Sequence, residues 1–234
     1  MKPCIDRRQF LTQSALLLLA GCSAPQPPII HVEDYESRRR GRGPIRVACI
    51  GDSITFGAGV EDREKNNFPQ KLGEMLGTSF EVRNFGRSGA TLQKAGDLPY
   101  WTTEEFTAAA NFHPDVIILK LGTNDTKPQN WKDRKTFAVD LKALLATFRS
   151  WKSHPKIWTC LPVPVYETKW GINADVLDNG VIPAIFDVCT GRDTPVIDLH
   201  DALSNHSEMF PDKIHPNAAG AALMAKTVYQ AIRP

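Results

Sequence analysis

What most limits the fold of this chain is the spacing of its apolar runs. Ile45–Gly51, Phe80–Phe85, Val116–Leu121, Ile157–Leu161 and Val196–Leu199 are short, with turn residues close by. Such runs read as buried parallel strands, because a strand covered on both faces has no need to alternate with polar residues. Between them lie stretches with a helical period. From Asp133 to Trp151, the side chains of Phe137, Leu141, Leu144, Leu145 and Phe148 fall on one face. After Pro216-Asn217, Leu223, Met224, Val228 and Ile232 do the same. Strand alternating with helix predicts a doubly wound α/β sheet with helices on both faces. In such sheets ligands bind beyond the carboxyl ends of the strands, so the chemistry is sought there.

The first twenty-one residues stand apart from this pattern. Lys2, Arg7 and Arg8 give a positive start, and Ala15–Ala20 is a short apolar run. A bilayer span needs about 20 apolar residues, so this run reads as part of an export signal rather than a membrane helix. Arg7-Arg8-Gln9-Phe10-Leu11 resembles a twin-arginine signal, and Leu19-Ala20-Gly21-Cys22 resembles the lipobox of bacterial lipoproteins. Those resemblances imply cleavage before Cys22, lipidation of that cysteine, and a membrane-anchored protein facing the periplasm or the exterior. A Pro-rich tether over residues 22–44 leads to one domain over residues 45–234. That is about 190 residues, enough for a single buried core.

Removing residues 1–21 takes three of the 28 basic and one of the 26 acidic side chains, leaving 25 of each. A formally neutral domain argues against nucleic acid as a partner. No protein partner is evident. The run Arg38, Arg39, Arg40 and Arg42 lies in the tether and reads as solvated linker. Cys4 is removed and Cys22 is the lipid site, which leaves Cys49, Cys160 and Cys189 in strand-like or helical runs. Buried thiols acting as small hydrophobes account for them, and no disulfide framework is indicated.

Four strand-end segments carry polar residues. The first strand runs into Gly51-Asp52-Ser53-Ile54-Thr55, where Ser53 is either a nucleophile or part of an ordinary helix cap. The second ends in Asn84-Phe85-Gly86-Arg87-Ser88-Gly89, where a glycine lets a backbone amide approach a ligand closely or simply makes a turn. The third ends in Gly122-Thr123-Asn124-Asp125; the Asn124 amide is able to donate to an oxyanion, and an Asx-turn is the plainer alternative. Near the C-terminus comes Asp212-Lys213-Ile214-His215-Pro216. On a tight turn, Asp212 is placed to brace one imidazole nitrogen of His215 while the other faces a serine hydroxyl.

Together, in this order, the four segments resemble the four blocks of the GDSL/SGNH hydrolase superfamily, over essentially all of residues 45–234. The resemblance implies a flavodoxin-like three-layer α/β/α sandwich with a five-stranded parallel sheet. It implies a serine esterase with Ser53 as nucleophile, His215 as general base and Asp212 as its orienter. The oxyanion hole would comprise the Ser53 amide, the Gly86 amide and the Asn124 side chain. Competing signatures are absent: position 55 is Thr, so there is no Gly-x-Ser-x-Gly elbow, and neither His-Glu-x-x-His nor Walker A occurs. The remaining histidines are scattered, and neither a metal nor a cofactor is expected.

For the ester itself, Trp101, Trp131 and Trp170 fall just beyond strand ends, where flat rings either suit sugars or merely cap loops. The stretches from Gly122 to Trp131 and from Pro162 to Tyr166 look most like bacterial carbohydrate and sialate-type O-acetylesterases. The expected reaction is removal of acetyl groups from a glycan. The alternatives are a lysophospholipase or broad acyl-ester hydrolase, and a non-catalytic glycan-binding lipoprotein.

Overall fold

The computed structural model describes residues 43–190 and 194–232. The export signal, Cys22 and nearly all of the tether lie outside the described residues. Five strands form one parallel sheet: β1 (Ile45–Gly51), β2 (Phe80–Gly86), β3 (Val116–Lys120), β4 (Lys156–Cys160) and β5 (Val196–Ile197). Their spatial order is β2-β1-β3-β4-β5. The chain therefore leaves β1 on one side for β2 and returns on the other for β3. That reversal is the switch point at which an open α/β sheet gathers its ligands.

Both faces of the sheet are covered, as near-continuous apolar strands require. Alternation along β1 sends Ala48 and Ile50 into one core and Val47 and Cys49 into the other. The first core is closed by α1 (Glu104–Asn111), α2 (Arg134–Arg149) and α3 (Ile182–Cys189). The second is closed by α4 (Phe68–Leu76) and α5 (Ala218–Ile232). In α2 the five side chains with a common helical phase are all buried, and Asp133 caps its start by accepting from the Thr136 amide at 2.6 Å. In α5, Met224, Val228 and Ile232 are buried while Leu223 lies at the core's edge.

The last strand is shorter than the apolar run suggested. Asp198 leaves the ladder to accept from the Asp201 amide at 2.8 Å, capping a helical turn over Leu199–Leu203. An Asp at that position competes for backbone donors and ends the strand. Cys49, Cys160 and Cys189 are buried, none of them in a disulfide, and burial raises the Cys49 thiol well above its usual range.

Candidate active site

Beyond the carboxyl end of β1 the chain turns at Asp52 into a four-residue helix, Ser53–Phe56. Asp52 caps it, its Oδ1 accepting from the Ile54 amide at 3.0 Å. The Ser53 hydroxyl faces His215, with Oγ 2.8 Å from Nε2. On the far side of the ring, Nδ1 lies 2.8 Å from Asp212 Oδ2. A Ser–His–Asp chain separated by 162 residues in sequence is thus closed by two short hydrogen bonds.

The turn carrying His215 is locally determined. Asp212 Oδ1 accepts from the amides of Ile214 (2.9 Å) and His215 (2.7 Å), wrapping the turn around the carboxylate. Lys213 takes a left-handed φ of 73° to allow it. Partial burial pushes the Asp212 carboxyl up, but the His215 amide, the His215 ring and the Ile214 amide outweigh that push. The carboxyl is held below its ordinary value and stays ionised beside the imidazole.

The donors near Ser53 divide differently from the sequence expectation. Among the described residues the Ser53 amide has no protein acceptor, as an oxyanion donor requires. Asn124 is buried, and its Nδ2 spends one hydrogen on the Ala90 carbonyl at 3.2 Å, which leaves its second hydrogen. Gly86 departs from expectation. Its amide already donates to Asn84 Oδ1 at 2.9 Å. A Cβ there would stand 2.2 Å from the Phe56 amide nitrogen, so this glycine serves close packing of β2 on the Ser53 helix. Asn84 completes the brace by donating to the Thr55 carbonyl at 2.8 Å. Three residues further, Gly89 has φ 85° in a turn closed by Ala90 N to Arg87 O at 3.0 Å. Its amide has no acceptor among the described residues, and it adjoins the Ala90 carbonyl that Asn124 touches.

Two buried charges lie beneath this layer. The Lys120 side chain is fully buried, and its Nζ lies 3.0 Å from both Asp52 oxygens and from Thr123 Oγ1. Burial draws this ammonium below the usual lysine range, against the opposing pull of Asp52. Asp125 accepts from the Leu92 and Gln93 amides at 2.9 and 2.7 Å, fixing the loop after β2, and burial pushes its carboxyl to about 7. Sequence reasoning passed over Lys120, although a charge within an apolar run was a usable signal, since lysines are almost never fully buried unless paired.

Of the three tryptophans expected at the rim, one stands there. Trp170 is 58% exposed, with its ring centroid 5.9 Å from that of His215. It and Gly171 form the tip of a two-residue hairpin between Lys169 and Ile172, with φ of 53° and 80°. The faces of Trp101 and Trp131 are given to protein neighbours. Trp101 Nε1 donates to the Leu92 carbonyl at 2.7 Å, and its ring has Phe106 and the Lys94 ammonium as neighbours. Trp131 packs on Phe137 and over Gly180. Indoles with room to turn inward bury their area and find a partner for the N–H. Trp158 is buried in the second core, and Trp151 packs at the edge of the first. Among the described residues no group of three or more His, Cys, Asp or Glu is placed to hold a metal ion.

The model of the GDSL-like lipase/acylhydrolase family matches residues 49–223. An acetylxylan esterase of Xylanibacter ruminicola is 37% identical over 81% of this chain. The chain spans only 43% of the length of that relative. Solved structures with the same fold include an aryl esterase of Mycobacterium smegmatis (TM-score 0.67, 21% identity, 80% of this chain and 99% of that one). They also include a carbohydrate acetylesterase of Sinorhizobium meliloti (TM-score 0.66, 19% identity, 80% and 97%). An acetyl xylan esterase likewise superposes (TM-score 0.64, 22% identity, 80% and 100%).

Proposed function

Because the chain belongs to the GDSL-like lipase/acylhydrolase family, we propose that it is a serine esterase that removes acetyl groups from carbohydrates. The observation that carries the reading is the chain of 2.8 Å contacts from Ser53 Oγ through His215 to Asp212. His215 Nε2 takes the hydroxyl proton as Oγ attacks the ester carbonyl. The oxyanion that forms is met by the Ser53 amide, the Asn124 side chain and, in place of Gly86, the Gly89 amide. His215 then protonates the leaving sugar hydroxyl, and water releases acetate from the acyl-enzyme by the reverse path.

The preference for acetylated carbohydrate draws on the names of the relatives and on Trp170. A bulky residue in the left-handed region costs about 1–2 kcal/mol, and such strain persists where a site uses it. Here it holds an exposed indole against the His215 ring, where a sugar ring would leave or enter. The test is acetate release from a panel of acetylated glycans, xylan and sialic acid included, beside p-nitrophenyl acetate and octanoate. Acetate favoured over octanoate supports the proposal. A preference for octanoate returns it to a broad acyl-ester hydrolase or lysophospholipase. Unchanged hydrolysis by Ser53→Ala would leave no serine esterase at all.

Export and lipid anchoring are proposed from the N-terminal sequence alone. Cys22→Ser is expected to move the protein from the membrane fraction to the soluble fraction; retention in the membrane would remove the anchor.

A further inference from the structure

The ladder between β1 and β3 ends at the pair Gly51 and Lys120. Beyond it the two chains separate into the turn carrying Ser53 and the turn carrying Asn124, which must still hold their donors a fixed distance apart. The fully buried Lys120 side chain spans that gap. Its Nζ, with three hydrogens to donate, lies 3.0 Å from each of Asp52 Oδ1, Asp52 Oδ2 and Thr123 Oγ1. Asp52 immediately precedes Ser53, and Thr123 immediately precedes Asn124. Because Asp52 Oδ1 also accepts from the Ile54 amide, the backbone is held on both sides of Ser53.

We propose that Lys120 is a positioning residue of the oxyanion hole, its ammonium clamping the Ser53 turn to the Asn124 turn. The inference rests on the ester-hydrolase reading above. Stability alone gives no reason for the pair, since apolar side chains of similar volume would fill the space without the desolvation of two charges. Direction does give a reason. A buried cation with three fixed partners sets distances that apolar packing leaves loose, and oxyanion donors act only within about 2.7–3.1 Å of the developing charge.

The experiment uses Lys120→Met and Thr123→Val. For each, kcat and KM are measured on p-nitrophenyl acetate, along with the inhibition constant of a reversible trifluoromethyl ketone. The ketone adds Ser53 Oγ to its carbonyl carbon while the serine proton passes to His215, leaving an oxyanion in the hole. Lys120→Met is expected to lose about 100-fold in kcat, the cost of a ~1 Å misplacement. KM should stay within about twofold, and ketone affinity should weaken by a similar factor to kcat. Thr123→Val, which cuts one arm of the clamp, should lose about 10-fold in the same two quantities. A merely structural role would lower the melting temperature and the fraction of active enzyme, without weakening the ketone at the sites that remain. Folded variants with kcat and ketone affinity within about twofold of wild type overturn the clamp. Should Lys120→Met fail to fold, Thr123→Val decides by the same criterion. Ser53→Ala separates the two levels: if it is inactive while the clamp variants are unimpaired, only the clamp falls, whereas an active Ser53→Ala removes the esterase reading itself.

Discussion

On one side of Ser53 stand Asp52, Lys120, Thr123, Asn124 and Asp125, none more than 4% exposed. On the other stand Asp212 and His215, whose side chains are 29% and 14% exposed, and Trp170 at 58%. The buried side is tied by hydrogen bonds that cross from strand end to strand end. The open side is a self-contained turn and a hairpin tip laid against it. In the proposed reaction, low dielectric strengthens each fixed donor on the buried side, while the open side admits substrate and lets a proton move. The difference teaches that the groups proposed for charge stabilisation are kept dry, and the proposed base is kept within reach of water.

Substitutions that break this division have graded effects. Ser53→Ala, at the seam between the two sides, should lower kcat by about 10⁴-fold or more, read from initial rates on p-nitrophenyl acetate. Asn124→Ala, on the dry side, should cost about 10²–10³ in kcat with little change in KM. A comparable KM effect would mean that Asn124 binds the ground state instead. On the open side Trp170→Gly should act through KM, about threefold to tenfold on an acetylated polysaccharide and negligibly on p-nitrophenyl acetate. Because glycine accepts the left-handed backbone, the same variant should melt slightly higher than wild type. Equal effects on both substrates would remove Trp170 from sugar recognition.

The smallest effect concerns pH. The Asp212 carboxyl is held below its ordinary value in the folded state, so its stabilisation is present above the unfolded value and is lost as pH falls through the folded one. The melting-temperature gap between wild type and Asp212→Asn, open at neutral pH, should therefore narrow below about pH 4. A gap independent of pH would mean that the hydrogen bonds to Asp212 do not depend on its charge.

The amino-acid sequence by itself determined the alternation of strands and helices, the buried face of α2, and the turn that joins Asp212 to His215. Apolar period and the Asp212–His215 turn are local properties, written within a few consecutive residues. What only the tertiary structure decided was which groups meet across strand ends. Gly86 and Gly89 are both glycines after β2, and no local pattern tells the amide that donates to Asn84 from the one left over. Trp101, Trp131 and Trp170 occupy similar positions along the chain, yet only the last is turned outward, because it sits on a hairpin tip while the others have cores to pack against. Lys120 showed as a charge in an apolar run, but its partners lie 68 residues back and 3 ahead. Side-chain direction and long-range contact are set by packing, and packing exists only once the sheet has closed.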